Sequence, residues 1–69
     1  MWIKIRTIDD MPKQDGDYNT IHYYAIADTY VKCLDRYSVK EKSFIDHFGN
    51  KVNNRIAWMA IPDFNEQEH

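Results

Sequence analysis

The longest apolar run in the chain is Ile56–Pro62, and it is closed by the proline. An apolar run of this length that ends in proline is typical of a buried strand that leaves its sheet through a turn. Trp58 lies within this run, and the second tryptophan, Trp2, lies near the opposite end of the chain. Because each indole can bury a large apolar surface, we expect these two segments to lie close together and to frame one core.

Three further segments alternate between apolar and polar residues, which predicts strands. They are Met1–Ile8, Tyr18–Ala27 and Thr29–Tyr37, and β-branched and aromatic residues are frequent in all three. The short break at Asp28 predicts a tight hairpin between the second and the third strand. A helix over residues 20–36 is the alternative, but its apolar spacing is incomplete, so we favour strands.

The segment Ser38–Phe48 fits two structures. Its first residues have the Ser-x-x-Glu spacing of a capping box, and the glycine that follows the segment would end a short helix. As a strand, the same segment would run into a two-residue hairpin turn at Gly49-Asn50. Both interpretations place Phe44 and Phe48 in the core.

Residues 9–17 contain Pro12, an Asp-Gly pair and four aspartates, and they predict a loop between the first two strands. A calcium-binding loop of the EF-hand type needs regularly spaced oxygen ligands and a closing glutamate, which this segment does not have. A solvated acidic turn is the simpler interpretation. The same turn could also present negative charge to a basic partner.

The chain has 69 residues, a length that fits one domain. A chain of this size buries only about 60% of the surface that its unfolded state exposes, so a few large side chains must supply the core. Aromatic residues make up 14% of the sequence and suit this role. The formal net charge is −2, with nine basic and eleven acidic residues interspersed, which argues against a general nucleic-acid binder.

No apolar run reaches the roughly 18–20 residues of a membrane span, and the first residues lack the pattern of a signal peptide. The single cysteine, Cys33, has no partner for an internal disulfide, which fits a reducing compartment. We therefore expect a cytoplasmic protein without membrane contact.

Candidate chemistry is sparse. Cys33, His22, His47 and Asp46 are residue types that bind metals, but their spacing does not match the paired ligands of a zinc site. Cys33 and a histidine could also form a nucleophile–base pair, yet a sheet this small rarely encloses the pocket that such catalysis needs. Cys33 equally fits the role of a small core residue. We expect no catalytic, metal or cofactor site.

Five tyrosines lie in or beside the predicted hairpin, and alternating strands cannot direct all of them into a core. Cross-strand aromatic pairing on a two-sided sheet is one explanation. A protein-binding or self-association surface is another, because Tyr and Arg are enriched at interface hot spots. Stacking on single-stranded nucleic acid is a third. The predicted interaction surface comprises Tyr24, Tyr30, Lys32, Arg36, Asp15 and Asp17.

Four landmarks of the chain together resemble a family of short phage and prophage proteins, the domain of unknown function numbered 551. They are Trp2-Ile3, Met11-Pro12, Asp15-Gly16 and the closing run Ile56–Pro62. The family ending usually has His before its Trp and Pro after its Met, where this chain has Ala57 and Ala60, so no role of that histidine transfers. The resemblance implies a small sheet-rich fold, a phage origin and a strand within residues 38–48. It implies no established chemistry.

We predict a mainly β fold, an antiparallel meander of four or five strands in one domain over residues 1–63. Residues 64–69 would be a frayed tail, and a short helix near 38–48 is the structural alternative. The predicted core comprises Trp2, Phe44, Phe48, Ile56, Trp58 and Ile61.

The leading functional hypothesis is a non-enzymatic phage or prophage accessory protein, in the cytoplasm of a bacterial host cell, that binds a host or phage protein. An inhibitor of a host nuclease or defence complex is one form of this hypothesis. The alternative is a small single-stranded nucleic-acid-binding module that uses exposed tyrosines. A homodimer would protect the edge strands of so small a sheet.

Overall fold

The computed structural model of the protein describes residues 1–62, so the predicted tail lies outside the described residues. Six antiparallel strands form one sheet within this range, in the order β1-β6-β2-β3-β4-β5, which confirms a mainly β fold. A 3₁₀ turn at Ile8–Asp10 follows the first strand. The strands are β1 (Ile3–Lys4), β2 (Gly16–Tyr24), β3 (Thr29–Ser38), β4 (Ser43–Ile45), β5 (Lys51–Val52) and β6 (Arg55–Ala60).

The last strand determines the topology. Strands β2 to β5 form a meander, but β6 crosses back and inserts between β1 and β2. Ile3 is therefore directly opposite Trp58, so the two tryptophan segments are neighbours, as their apolar pattern predicted. Their indoles do not share one core, however. Trp2 precedes Ile3, lies on the opposite face of the sheet from Trp58 and is 38% exposed.

The hairpin of β2 and β3 is the longest ladder, with nine residue pairs from Gly16–Tyr37 to Tyr24–Thr29. Its turn closes where Asp28 adopts a left-handed backbone conformation with φ of 50°, which Asp tolerates better than most residues. The Asp28 amide donates to the Ala25 carbonyl at 3.2 Å. Strand β2 thus ends at Tyr24, three residues before the predicted end, because the chain must reverse at residues 25–28.

The segment 38–48 contains a strand rather than a helix, but the strand is only β4. The Ser-x-x-Glu spacing forms an isolated turn, in which the Glu41 amide donates to the Ser38 hydroxyl at 3.2 Å. Phe44 is 1% exposed and packs edge-on against Tyr37, with ring centroids 5.0 Å apart. Phe48 is 76% exposed, which corrects its predicted place in the core. The chain has already left the sheet to turn at Gly49.

The core lies on one face of the sheet, which we call the core face. The loop before β2 crosses this face: Pro12 is buried, and the Trp58 indole N–H donates to the Asp10 carbonyl at 2.6 Å. The Tyr18 ring meets Trp58 edge-on, with centroids 5.1 Å apart. Ile56 and Ile61 are 40% and 41% exposed, which corrects their predicted place in the core. The buried residues of the strands are Thr20, Asp35, Tyr37 and Phe44 on this face, and Ala57 on the other face, where it is opposite Lys4 and Ile21.

Candidate interaction surface

The second face of the sheet has no covering layer formed by residues 1–62, and we call it the open face. Side chains alternate along a strand, so the registers of the sheet assign residues to each face. Tyr30 and Leu34 of the open face are 66% and 58% exposed. The strand residues that the registers place on this face include Lys4, Asp17, Asn19, Ile21, Tyr23, Tyr30, Lys32, Leu34, Arg36 and Lys51.

Two aromatic side chains lie on the open face beside the hairpin turn. Tyr23 and Tyr30 are opposite each other in the β2–β3 register, and their ring centroids lie 5.2 Å apart. The Tyr23 hydroxyl donates a hydrogen bond to the Asp28 carboxylate, and this bond raises the pKa of the phenol. The pair is thereby held in place by the hairpin turn.

A shallow hollow of about 470 Å³ adjoins this pair. Trp2, Ile21, Tyr30 and Ile56 line it, and the backbone of β1 brings Lys4 beside them. Trp2 and Ile56 reach the hollow because β1 pairs with β6, next to β2. Residues from both ends of the described chain therefore contribute to one apolar surface.

The open face is basic although the whole chain is acidic. Its strand positions carry four basic side chains and only one carboxylate, Asp17. Arg36 Nε lies 3.5 Å from Asp17 Oδ1, and Lys51 Nζ lies 2.5 Å from Glu41 Oε1. Arg36 and Lys51 are therefore both in salt bridges. Lys4 and Lys32 form no salt bridge within residues 1–62. The face can therefore attract an anionic partner.

Four of the six residues predicted for the interaction surface lie on the open face: Tyr30, Lys32, Arg36 and Asp17. The other two do not join them. Tyr24 lies on the opposite face, since it follows Tyr23 directly, and Asp15 accepts a hydrogen bond from the Val39 amide at 2.6 Å. Sequence reasoning missed Trp2 and Tyr23 as surface residues. The predicted break at Asp28 would have placed Ile26 opposite Tyr30, whereas the observed turn over residues 25–28 places Tyr23 there.

The predicted acidic loop is largely used by the fold itself. The Asp10 carboxylate accepts hydrogen bonds from the amides of Arg6 and Thr7 at 2.8 and 3.1 Å. These two bonds lower the pKa of Asp10. The Asp15 carboxylate accepts a hydrogen bond from the Val39 amide. These carboxylates stabilise loops, which leaves less charge for a basic partner.

A buried polar cluster was not predicted from the sequence. Asp35 is 3% exposed, and its Oδ2 accepts from Arg55 Nε at 2.7 Å and from the Thr20 hydroxyl at 2.5 Å. Burial opposes the charge of Arg55, but the hydrogen bond and the charge of Asp35 outweigh it and raise the guanidinium pKa. Every side-chain nitrogen and oxygen atom that this cluster buries has a hydrogen-bond partner. Because it is closed and satisfied, we assign it to folding rather than to chemistry.

The residues considered for catalysis do not assemble. The Cys33 thiol donates to the Val31 carbonyl at 4.0 Å, and Cys33 forms no hydrogen bond with a histidine within residues 1–62. His22 Nδ1 lies 3.5 Å from the Asn54 carbonyl, and the His47 ring lies on Phe48 with centroids 4.1 Å apart. Within the part of the chain that the structure describes, no three metal-ligating side chains cluster.

Comparison with known proteins finds no match to a family model, to a curated protein or to a solved structure. Residues 1–62 contain no helix with the length and apolar character that a membrane span requires.

Proposed function

We propose that the protein is a non-enzymatic accessory protein, of phage or prophage origin and acting in the cytoplasm of its bacterial host, that binds another protein through the open face. One observation carries the proposal: a sheet face that residues 1–62 leave uncovered presents Trp2, Tyr23 and Tyr30 beside Lys4 and Lys32, which form no salt bridge within that range. Monomeric proteins rarely expose large contiguous apolar patches unless these patches bind something.

The composition of the face favours a protein partner. Trp, Tyr and Arg are the residue types most enriched at interface hot spots, and all three are present. Ile56 lines the hollow with Trp2 and Tyr30, and Leu34 is exposed elsewhere on the same face. Both suit an apolar anchor of the partner. The basic residues around them suit a partner with carboxylates at the border of that anchor, because complementary charge directs association.

An inhibitor of a host nuclease or defence complex is one form of this function. In that form, the open face would bind an acidic region of the target protein. The acidic loop supports the proposal less well, because Asp10 and Asp15 are hydrogen-bonded within the fold.

The experiment is affinity capture from a bacterial host lysate with matched tyrosine variants. Tyr30→Ser removes an open-face ring, and Tyr24→Ser removes an exposed ring from the opposite face of the same hairpin. We expect a protein that is retained by the wild type after nuclease treatment and by Tyr24→Ser, but reduced at least about tenfold by Tyr30→Ser, as for a hot-spot residue. Equal retention by both variants would refute the open-face proposal.

Single-stranded nucleic acid is the second candidate, and the basic charge of the open face favours it. Bases would stack on Trp2 and Tyr30, and Lys4 and Lys32 would contact phosphates. This candidate predicts binding of an oligonucleotide that weakens steeply with salt, and loss of binding in Lys32→Glu. Absence of binding at low salt would eliminate it.

A further inference from the structure

Strand β3 has a long outer edge that lacks a partner within residues 1–62. All but its last residue pair with β2 on one side, but β4 pairs with only its last three residues on the other side. The edge before Arg36 therefore presents backbone N–H and C=O groups that the described sheet does not use. Such an edge is a ready template for another strand.

The turn after β4 shortens the free part of this edge. His47 and Phe48 of that turn line a hollow together with Cys33, Leu34 and Asp35 of β3, so the turn lies beside these three residues. The edge that remains clear of the turn is Thr29–Lys32, and Cys33 lies at its border.

We propose that a second copy of this chain binds this edge, so that two β3 strands pair antiparallel about a two-fold axis at Val31. In this register Val31 is opposite Val31 of the second copy, Tyr30 is opposite Lys32, and Thr29 is opposite Cys33. All four free residues are paired, and Cys33 pairs at the border of the turn. The open faces of the two copies join into one continuous surface, which doubles the area available to a partner. The dimer does not depend on the proposed function.

Charge selects this register over its neighbour. A two-fold axis at Lys32 would place the two Lys32 side chains directly opposite each other, and like charges in that position destabilise a strand pair. It would also require Leu34 to pair, where the turn at His47 lies. The axis at Val31 avoids both problems and sets each Lys32 against a Tyr30 ring, to which a cation is attracted.

The same register accounts for two exposed apolar side chains. The pairing directs the hairpin turn 25–28 of one copy toward the turn 46–49 of the other. Ile26 is 88% exposed and Phe48 is 76% exposed, and they lie in these two turns. Contact between them would extend the short strand pair with apolar surface.

The experiment uses analytical ultracentrifugation of the full chain over a range of concentrations. Val31→Lys and Val31→Glu each set like charges opposite each other across the axis, so each should be monomeric where the wild type is dimeric. An equimolar mixture of the two should restore the dimer. Val39→Lys is the matched control, since Val39 is 42% exposed, Val31 is 40% exposed, and only Val31 is on the proposed interface. This control should remain dimeric.

A second measurement, cysteine cross-linking, tests the same interface if the charged variants of Val31 do not fold. Val31→Cys in a Cys33→Ser background should form a disulfide-linked dimer when oxidised glutathione is added, since the two thiols meet at the axis and glutathione takes up the electrons. Val39→Cys in the same background should not. A wild type that is monomeric at millimolar concentration, dimeric Val31→Lys, or equal cross-linking of the two cysteine variants would overturn the proposal.

Discussion

Asp35 of β3 and Arg55 of β6 form an ion pair across β2, the strand that separates them, with Oδ2 and Nε 2.7 Å apart. Thr20, on β2, donates its hydroxyl to the same oxygen. The side chains of the pair are 2% and 9% exposed, so the pair has left water almost completely. Three strands are thus joined by one polar cluster on the core face, and the buried atoms of this cluster are all hydrogen-bonded. A buried pair of this kind constrains the arrangement of strands more than it adds to stability.

Removal of one partner of this pair should be severe. Arg55→Met leaves the Asp35 carboxylate buried without its cation, a change that costs about 3–5 kcal/mol. A domain of this size has only a few kcal/mol of stability, so we expect Arg55→Met to be largely unfolded by circular dichroism. The double variant Asp35→Leu/Arg55→Met should regain a cooperative urea transition, because neither charge is then buried alone. A double variant as unstable as the single variant would contradict this account.

The two phenylalanines of residues 38–48 provide a matched pair. Phe44→Ala removes a ring that is 1% exposed and leaves a cavity against Tyr37, so we expect a loss of about 3–5 kcal/mol. Phe48→Ala removes a ring that is 76% exposed and should change the free energy of unfolding by less than about 0.5 kcal/mol. Urea unfolding at a concentration where the chain is monomeric measures both. Similar losses for the two would show that Phe48 packs in the core.

Acid should loosen the loop that covers Trp58. The Asp10 carboxylate has a lowered pKa in the folded chain, so the unfolded chain binds its proton at higher pH. The stability from this group is therefore present at neutral pH and is lost as the pH falls from the ordinary aspartate value through the lowered one. The Trp58 indole N–H resonance, which reports the bond to the Asp10 carbonyl, should shift over this range.

Two aspartate variants separate this effect from general acid unfolding. Asp10→Asn should reduce the loss of stability with acid, because the amide oxygen can still accept from the Arg6 and Thr7 amides but the side chain has no proton to gain. Asp9→Asn is the control, since the Asp9 side chain makes no hydrogen bond among residues 1–62. If Asp9→Asn altered the acid transition as much as Asp10→Asn does, the Asp10 hydrogen bonds would not be its source.

Glycine should be the favoured residue at two turn positions, Gly49 and Lys42. Gly49 has φ of 88°, and a Cβ there would meet nothing within 4 Å, so Gly49→Ala costs only backbone energy, about 1–2 kcal/mol. Lys42 has φ of 54°, so Lys42→Gly relieves a strained residue and should be neutral or stabilising by up to about 1 kcal/mol. Thermal unfolding of both variants measures the signs. A stabilising Gly49→Ala would refute the assigned turn.

The sequence alone determined the class of the fold and most of its strands. Alternation at Tyr18–Ala27 and Thr29–Tyr37 located the long hairpin, and Pro62 marked the end of the last strand, because these signals are local and repeat every two residues. A turn at Gly49 was also predicted, but as a two-residue turn over Gly49-Asn50, whereas the observed turn covers residues 46–50 between Ile45 and Lys51. The resemblance of the two ends to the family numbered 551 has no counterpart in the comparisons and stays a prediction.

Only the tertiary structure decided which face each strand turns to the core. The insertion of β6 between β1 and β2 set Trp58 on the core face and Trp2 on the open face. The sequence had predicted both indoles in the core. The pairing of Asp35 with Arg55 across β2 has no local signal, since twenty residues of chain separate the two. Alternation shows that a strand has two faces, but register and strand order, which depend on long-range pairing, decide which of them is buried.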